Sequence, residues 1–225
     1  MSSPSSNILV WDAPVRVFHW LMVLCFAGAF ITSESERWQL VHISLGYTMA
    51  GLIAFRVLWG LVGTRYARFA QFVRGPQAVL RYVGALHSKT PPHHVGHNPA
   101  GALAIVLLLL AGTVLTLSGW AHYNEYGGNW VEEVHEVLGN GMLLLIGVHI
   151  AGVVVSSRLH RENLVRAMFT GSKAGAPSEG IGHSFAWLAA VLVALVLGFW
   201  WFQWQLAPVQ SAQAAITFIA NIGLS

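Results

Sequence analysis

Four histidines, His19, His42, His135 and His149, sit inside or at the edges of long apolar runs. An imidazole surrounded by hydrocarbon is costly to leave unpaired, so each needs a partner, a metal or a water-filled cavity. His135 and His149 are separated by fourteen positions, which on a helix is about 21 Å along the axis and nearly four turns, so both rings leave one face. Taken singly, such a histidine also serves to hydrogen-bond a neighbouring helix or to line a proton path. Their depths relative to one another decide between these roles, and the depths depend on the elements that carry them.

Those elements are membrane helices. The 225 residues are 55% hydrophobic and 9% charged, where a soluble domain carries about 25% charged residues. Five apolar runs reach membrane-spanning length, at about residues 17–31, 40–62, 102–120, 134–156 and 185–206. The runs lack the alternation of a barrel strand, and an open sheet could not satisfy its backbone in lipid. The expected fold is an all-α integral membrane bundle. The single cysteine, Cys25, excludes an intrachain disulfide or an iron–sulfur ligand set and reads as a small apolar filler. Residues 1–11 show no basic n-region and no cleavage site, so no signal peptide is expected. The formal net charge of +3 does not point to nucleic acid.

The distribution of charge gives the orientation. Arg65, Arg68, Arg74, Arg81 and Lys89 follow the second run, and Arg158, Arg161, Arg166 and Lys173 follow the fourth. Glu34, Glu36 and Arg37 follow the first, and Glu125, Glu132 and Glu133 follow the third. Basic loops stay inside, so the expectation is a bacterial inner-membrane protein with a cytoplasmic N-terminus, acidic periplasmic loops and a periplasmic C-terminus. Trp120 and Trp130 bracket an outer loop, and Trp200, Trp201 and Trp204 are expected in an outer aromatic belt. Residues 164–169 read as a short amphipathic segment along the inner surface. The tail 207–225 has no charged residue, and its apolar patch 214–220 is too short to span, which leaves it to lie on the outer membrane surface or dock on a partner.

With that topology the histidines pair by depth. His19 opens the first span near the inner side and meets the level of His149. His42 opens the second span near the outer side and meets the level of His135. Two neutral imidazoles from different helices suit the two axial positions of a haem iron. Filling both positions leaves no site for oxygen, and two such centres stacked across the bilayer form an electron path. Gly46, Ala50 and Gly51, with Gly139, Gly141, Gly147, Ala151 and Gly152, supply small faces that a flat macrocycle needs, although small faces also serve ordinary helix packing. Arg16 and Arg56 either pair with haem propionates or anchor helix ends. His87, His93, His94 and His97, beside Pro91 and Pro92, read as a solvated turn in preference to a metal-binding loop. His122, His160 and His183 read as interfacial anchors, with protonation of a quinone headgroup as their alternative role.

The residues now support a resemblance. Val10-Trp11-Asp12-Ala13-Pro14-Val15-Arg16-Val17-Phe18-His19-Trp20 resembles the first-helix signature of the bacterial cytochrome b561 family, which includes the cytochrome b subunits of membrane-bound nickel–iron hydrogenases. His42 with Gly46-Tyr47, Gly96-His97-Asn98-Pro99, His135 with His149, and Glu162-Asn163-Leu164 with Met168 match further pieces, so the similarity covers roughly residues 10–173. The resemblance implies a four-helix core with two b-type haems, each held by two histidines, and electron exchange between quinone and a partner. Its ligand positions land on His19, His42, His135 and His149. The fifth span and the uncharged tail depart from that core and leave the partner's identity open.

The expected division is a di-haem core over residues 1–173, followed by a linker, fifth helix and outer tail over 174–225. The expected function is transmembrane electron transfer between quinone or quinol and a periplasmic c-type cytochrome, drawn to the acidic outer loops. The alternatives are a hydrogenase cytochrome b subunit docked on a hydrogenase small subunit, a superoxide:quinone oxidoreductase, and a haem-free transporter or assembly factor. A superoxide enzyme would favour a positive outer funnel, which these loops lack. The direction of electron flow, the quinone site and the oligomeric state stay open.

Overall fold

A computed structural model describes residues 6–86 and 92–222, with 208–222 described as backbone only. His87, Lys89 and Pro91 lie outside the described residues. Five helices are long and apolar enough to cross a membrane. They are α1 (Ala13–Thr32), α2 (Gln39–Val62), α5 (Pro99–Tyr123), α6 (Asn129–Leu159) and the segment Ala186–Ala207 of α8 (Ala186–Ile222). Shorter helices α3 (Phe69–Phe72), α4 (Pro76–Ala85) and α7 (Leu164–Thr170) lie in the connections at one end of the bundle. The connections at that end hold Arg65, Arg68, Arg74 and Arg161, so it is the basic end, and the opposite end with Glu34, Glu36, Glu125, Glu132 and Glu133 against Arg37 is the acidic end.

The helix starts follow from sequence. The Asp12 carboxylate accepts from Val15 N at 2.8 Å and caps α1, with Pro14 in the first turn. Asn98 does the same for α5, accepting from Gly101 N at 2.7 Å beside Pro99. α7 ends on Gly171, whose φ of +83° is the left-handed cap that glycine adopts without cost. A Cβ at Gly171 would also meet the Trp11 carbonyl oxygen at 2.6 Å. The Gly171 carbonyl accepts from Val10 N and Trp11 N at 2.8 and 2.9 Å.

That turn builds a feature absent from the all-α expectation. Strands β1 (Ser6–Leu9) and β2 (Ser172–Gly175) pair antiparallel, Ser6 opposite Gly175 and Leu9 opposite Ser172. The ribbon lies at the basic end, and its buried residues Ile8, Val10 and Trp11 pack with Ala167 of α7. The amphipathic segment is confirmed as α7, with Ala167 buried and Val165 and Phe169 exposed. Phe169 stacks on Trp20 of α1 with ring centroids 4.2 Å apart.

The transmembrane core gathers Cys25 and Phe26 of α1, Met49 and Leu52 of α2, Leu115 of α5, Met142 of α6, and Leu192 and Val196 of α8. Cys25 is fully buried there, as a filler should be. Among the described residues, close backbone contact joins α1 to α2, α2 to α5, α5 to α6, and α8 to α1 and α2, but neither α1 nor α2 packs closely on α6. α6 therefore meets the α1–α2 pair through side chains, with Met142, Leu138 and Ile146 packed on the shared cluster.

Two expectations change. Trp200 is not a belt residue: its indole N–H donates to Thr48 Oγ1 at 2.8 Å and ties α8 to α2, because a partly buried indole needs an acceptor. Trp201 and Trp204 are exposed, as the belt requires. The tail is also not a separate surface segment: α8 continues unbroken to Ile222. Thirty-seven helical residues span about 55 Å, well beyond a hydrocarbon core of about 30 Å.

Candidate functional site: two histidine pairs

His19 stands on α1, His42 on α2, and His135 and His149 on α6. At the acidic end, His42 in the first turn of α2 faces His135 in the second turn of α6, with ring centroids 6.1 Å apart and planes at 82°. His42 Nδ1 lies 2.8 Å from the Ala29 carbonyl oxygen of α1, and His135 Nδ1 lies 3.0 Å from the Leu115 carbonyl oxygen of α5. A carbonyl only accepts, so each Nδ1 carries the proton and each Nε2 keeps its lone pair, the tautomer of a metal ligand. Ser118 Oγ lies 3.1 Å from His135 Nδ1 and reinforces it. The His135 ring also fills the space over Gly119, where a Cβ would meet its Cε1 at 2.7 Å.

The dimensions of this pair fit an iron. Two metal–imidazole bonds of about 2 Å each, plus the distance from each nitrogen to its ring centre, come to roughly 6 Å. Gly46 and Gly139 lie one turn beyond His42 and His135, and a Cβ at either would meet nothing within 4 Å. Among the described residues no three His, Cys, Asp or Glu side chains are placed to hold a bare metal ion, so each site offers a pair of ligands.

At the basic end, His19 of α1 comes within electrostatic range of His149 of α6. His19 Nδ1 is buried and has no hydrogen-bond partner. Arg16 stands one turn before His19. Its Nη1 donates to the Phe169 carbonyl of α7, while its Nε is buried without a partner. Arg56 of α2 is 3% exposed, sits 4.8 Å over the Phe69 ring, and leaves Nη1 unpartnered. Arg56 is enclosed and does not reach water as an interfacial anchor would, whereas Arg16 is only half-buried. Their unpartnered donors suit the carboxylates of a bound haem.

Sequence reasoning missed two residues here. Asp12 is 1% exposed and is a hub as well as a cap, since its second oxygen accepts from Trp59 Nε1 at 3.0 Å and Thr64 Oγ1 at 2.6 Å. An acidic residue directly before Ala-Pro at a helix start was the available signal. His97 is the second. The expected solvated turn is corrected there: its ring lies between Trp11 and Phe72, each at 4.5 Å between centroids, and its Nδ1 is enclosed. Burial, with Arg56, Lys173 and His149 nearby, pushes its imidazole down to about 3, so it stays neutral. His93 and His94 do not form a free loop either. His93 Nε2 contacts Glu162 Oε1 at 2.7 Å, and Lys173, itself 7% exposed, bonds Glu162 Oε2 at 2.9 Å and the His94 carbonyl at 3.2 Å. His160 caps α6 with its ring 5.3 Å from His93, and the His183 ring rests 6.1 Å from Phe185.

Comparison with known proteins points the same way. The family model for prokaryotic cytochrome b561 matches residues 10–171, a stretch that holds both histidine pairs, Arg16, Arg56 and His97 and stops before α8. A relative from Escherichia coli (strain K12), named probable Ni/Fe-hydrogenase 1 B-type cytochrome subunit, is 28% identical over 155 residues, covering 56% of this chain and 66% of its own length, just under two thirds. Relatives named probable Ni/Fe-hydrogenase B-type cytochrome subunit are 24% identical in Rhodobacter capsulatus (75% of this chain, 82% of the relative) and 27% identical in Azotobacter vinelandii (73% and 87%). No solved structure gives a significant match.

Proposed function

The chain belongs to the prokaryotic cytochrome b561 family and is a multi-pass membrane b-type cytochrome, and from that premise we propose that it binds two haem b groups and carries electrons across the bacterial inner membrane between the quinone pool and a periplasmic redox partner. His42 and His135 would hold one group, and His19 and His149 the other. Arg16 and Arg56 would receive the propionates of the second. A haem held by two histidines would supply a one-electron couple. Residues 1–173 are the di-haem core, and 174–225 add the linker, the fifth helix and its extension.

The observation that carries this reading is the His42–His135 pair, with rings 6.1 Å apart and each Nδ1 held by a carbonyl of a neighbouring helix. The chain's part is to fix both rings in the ligating tautomer and keep the slot beside Gly46 and Gly139 open. The basic loops favour a cytoplasmic ribbon end, with the N-terminus inside and the C-terminus outside. The acidic end then meets the partner. Its glutamates favour a basic surface, such as that of a c-type cytochrome. The relatives' names favour a second reading, in which the partner is a hydrogenase small subunit. The connections at the acidic end, a short turn Glu36–Trp38 and residues 124–128, give such a subunit a small platform. The same acidic surface disfavours superoxide as substrate.

Purified protein made with adequate haem supply is expected to hold two haem b per chain, to be reduced by a quinol, and to pass electrons to a basic c-type cytochrome at a rate that falls as salt rises. One haem or none overturns the di-haem reading. Transfer indifferent to salt removes the electrostatic docking, and a co-purifying hydrogenase decides for the second partner.

A further inference from the structure

Four enclosed side-chain nitrogens among the described residues have no hydrogen-bond partner: Arg16 Nε, His19 Nδ1, Arg56 Nη1 and His97 Nδ1. All four lie at the basic end. A buried polar group without a partner costs about 1–3 kcal/mol, and a charged one more; the arginine atoms can only donate, and an imidazole Nδ1 donates in its Nδ1–H tautomer, so the cluster marks acceptors that the polypeptide does not supply. His19 belongs to the ligand pair. The other three are left to explain.

Their surroundings hold them in place but do not satisfy them. Arg16 precedes His19 by one turn on the same face, and its Nη1 is fixed by the Phe169 carbonyl. Arg56 lies on Phe69, which meets Phe72 at 5.8 Å, which meets His97 at 4.5 Å, which meets Trp11 at 4.5 Å. This aromatic row links Arg56 to His97 and orients both without hydrogen bonds. The nearby Asp12 carboxylate is committed to Val15 N, Trp59 and Thr64. His97 also lies within electrostatic range of both Arg56 and His149. The acidic end has no counterpart: both of its Nδ1 atoms are bonded.

Resting on the di-haem reading above, we infer that Arg16, Arg56 and His97 form one carboxylate clamp that receives the two propionates of the basic-end haem, with His97 as the positioning residue that closes it. The clamp turns the anionic edge of that haem toward the ribbon and leaves the acidic-end haem untouched. Adding an electron beside the clamp is eased by its donors, so removing a donor makes reduction harder at that centre alone.

Potentiometric titration of purified wild type, His97→Leu, His97→Gln, Arg56→Gln and Arg56→Lys tests this, with the basic-end step assigned as the one missing in His149→Ala. The expected result is a negative shift of the basic-end step in His97→Leu and Arg56→Gln, an unmoved acidic-end step, and a step nearer wild type in His97→Gln and Arg56→Lys, which keep a donor or the charge. Both steps at their wild-type positions in His97→Leu and Arg56→Gln, or equal shifts of both steps, overturn the clamp. If His97→Leu fails to retain the haem, His97→Gln decides: retention near the wild-type potential supports the clamp, and the same loss overturns it. A wild type without haem would instead fail the di-haem reading itself, a result separate from any shift among variants.

Discussion

The two histidine pairs are built on different plans. The acidic-end pair is made by helices alone: His42 and His135 are oriented by carbonyls of α1 and α5, and glycines one turn away keep the slot open. The basic-end pair lies beside a collar of non-spanning structure: α7 takes hydrogen bonds from Arg16 and Trp20, which flank His19 in sequence, and packs with the β1–β2 ribbon and Trp11, while His19 Nδ1 is unsatisfied. The bundle orients the acidic-end rings, and the basic end keeps an unpartnered ring nitrogen. Damage to the helix faces beside Gly46 and Gly139 should therefore strike the acidic end, and damage to the collar should strike the basic end.

The largest effect is expected from filling the slot. Gly139→Leu places a side chain where a Cβ now meets nothing, and haem quantitation should show one of the two haems lost with the basic-end haem kept. Loss of the basic-end haem instead would break the assignment of that slot. Next comes Asp12→Ala, which removes a cap and two further buried hydrogen bonds and should cost roughly 3–5 kcal/mol. A lower thermal midpoint with early release of the basic-end haem is the expected signature.

A smaller effect is expected from the clasp between α6, the His93 loop and β2. Burial raises the Glu162 carboxyl, but hydrogen bonds from Lys173 and His93 outweigh it and hold Glu162 below its ordinary value. The clasp therefore contributes stability above the ordinary carboxylate pKa and loses it as pH falls through the lower folded value. Glu162→Gln should cost about 1–2 kcal/mol at neutral pH, since Glu162 is partly exposed. The thermal midpoints of wild type and variant should converge as the solution is acidified below about pH 4. The smallest effect is Ser118→Ala: the Leu115 carbonyl still holds His135, so the loss should stay near 0.5–1 kcal/mol. Any shift in potential should appear at the acidic-end haem only.

The sequence made the five spans legible because lipid imposes length and apolarity on every spanning helix. The approach of His42 to His135 was legible because depth follows from span order. Helices overran their apolar runs, α1 beginning at Ala13 and α5 at Pro99, because caps such as Asp12 and Asn98 lie in the polar layer, outside the hydropathy signal. The ribbon escaped notice because a four-residue strand has too few positions to show alternation. His97 looked solvated because its neighbours His93 and His94 are polar and prolines lie close by. Its enclosure comes from Trp11 and Phe72, which are distant in sequence. Trp200 had the composition of a belt residue, and only its facing Thr48 on α2 reveals the inward bond.

The most direct test of the account is haem quantitation with reduced-minus-oxidised spectra across single and double alanine variants of the four histidines. The pairing His42 with His135 and His19 with His149 predicts that each single variant loses one haem, that the doubles within a pair still keep one, and that His42→Ala with His149→Ala loses both. A within-pair double that loses both haems, or a cross-pair double that keeps one, would contradict it.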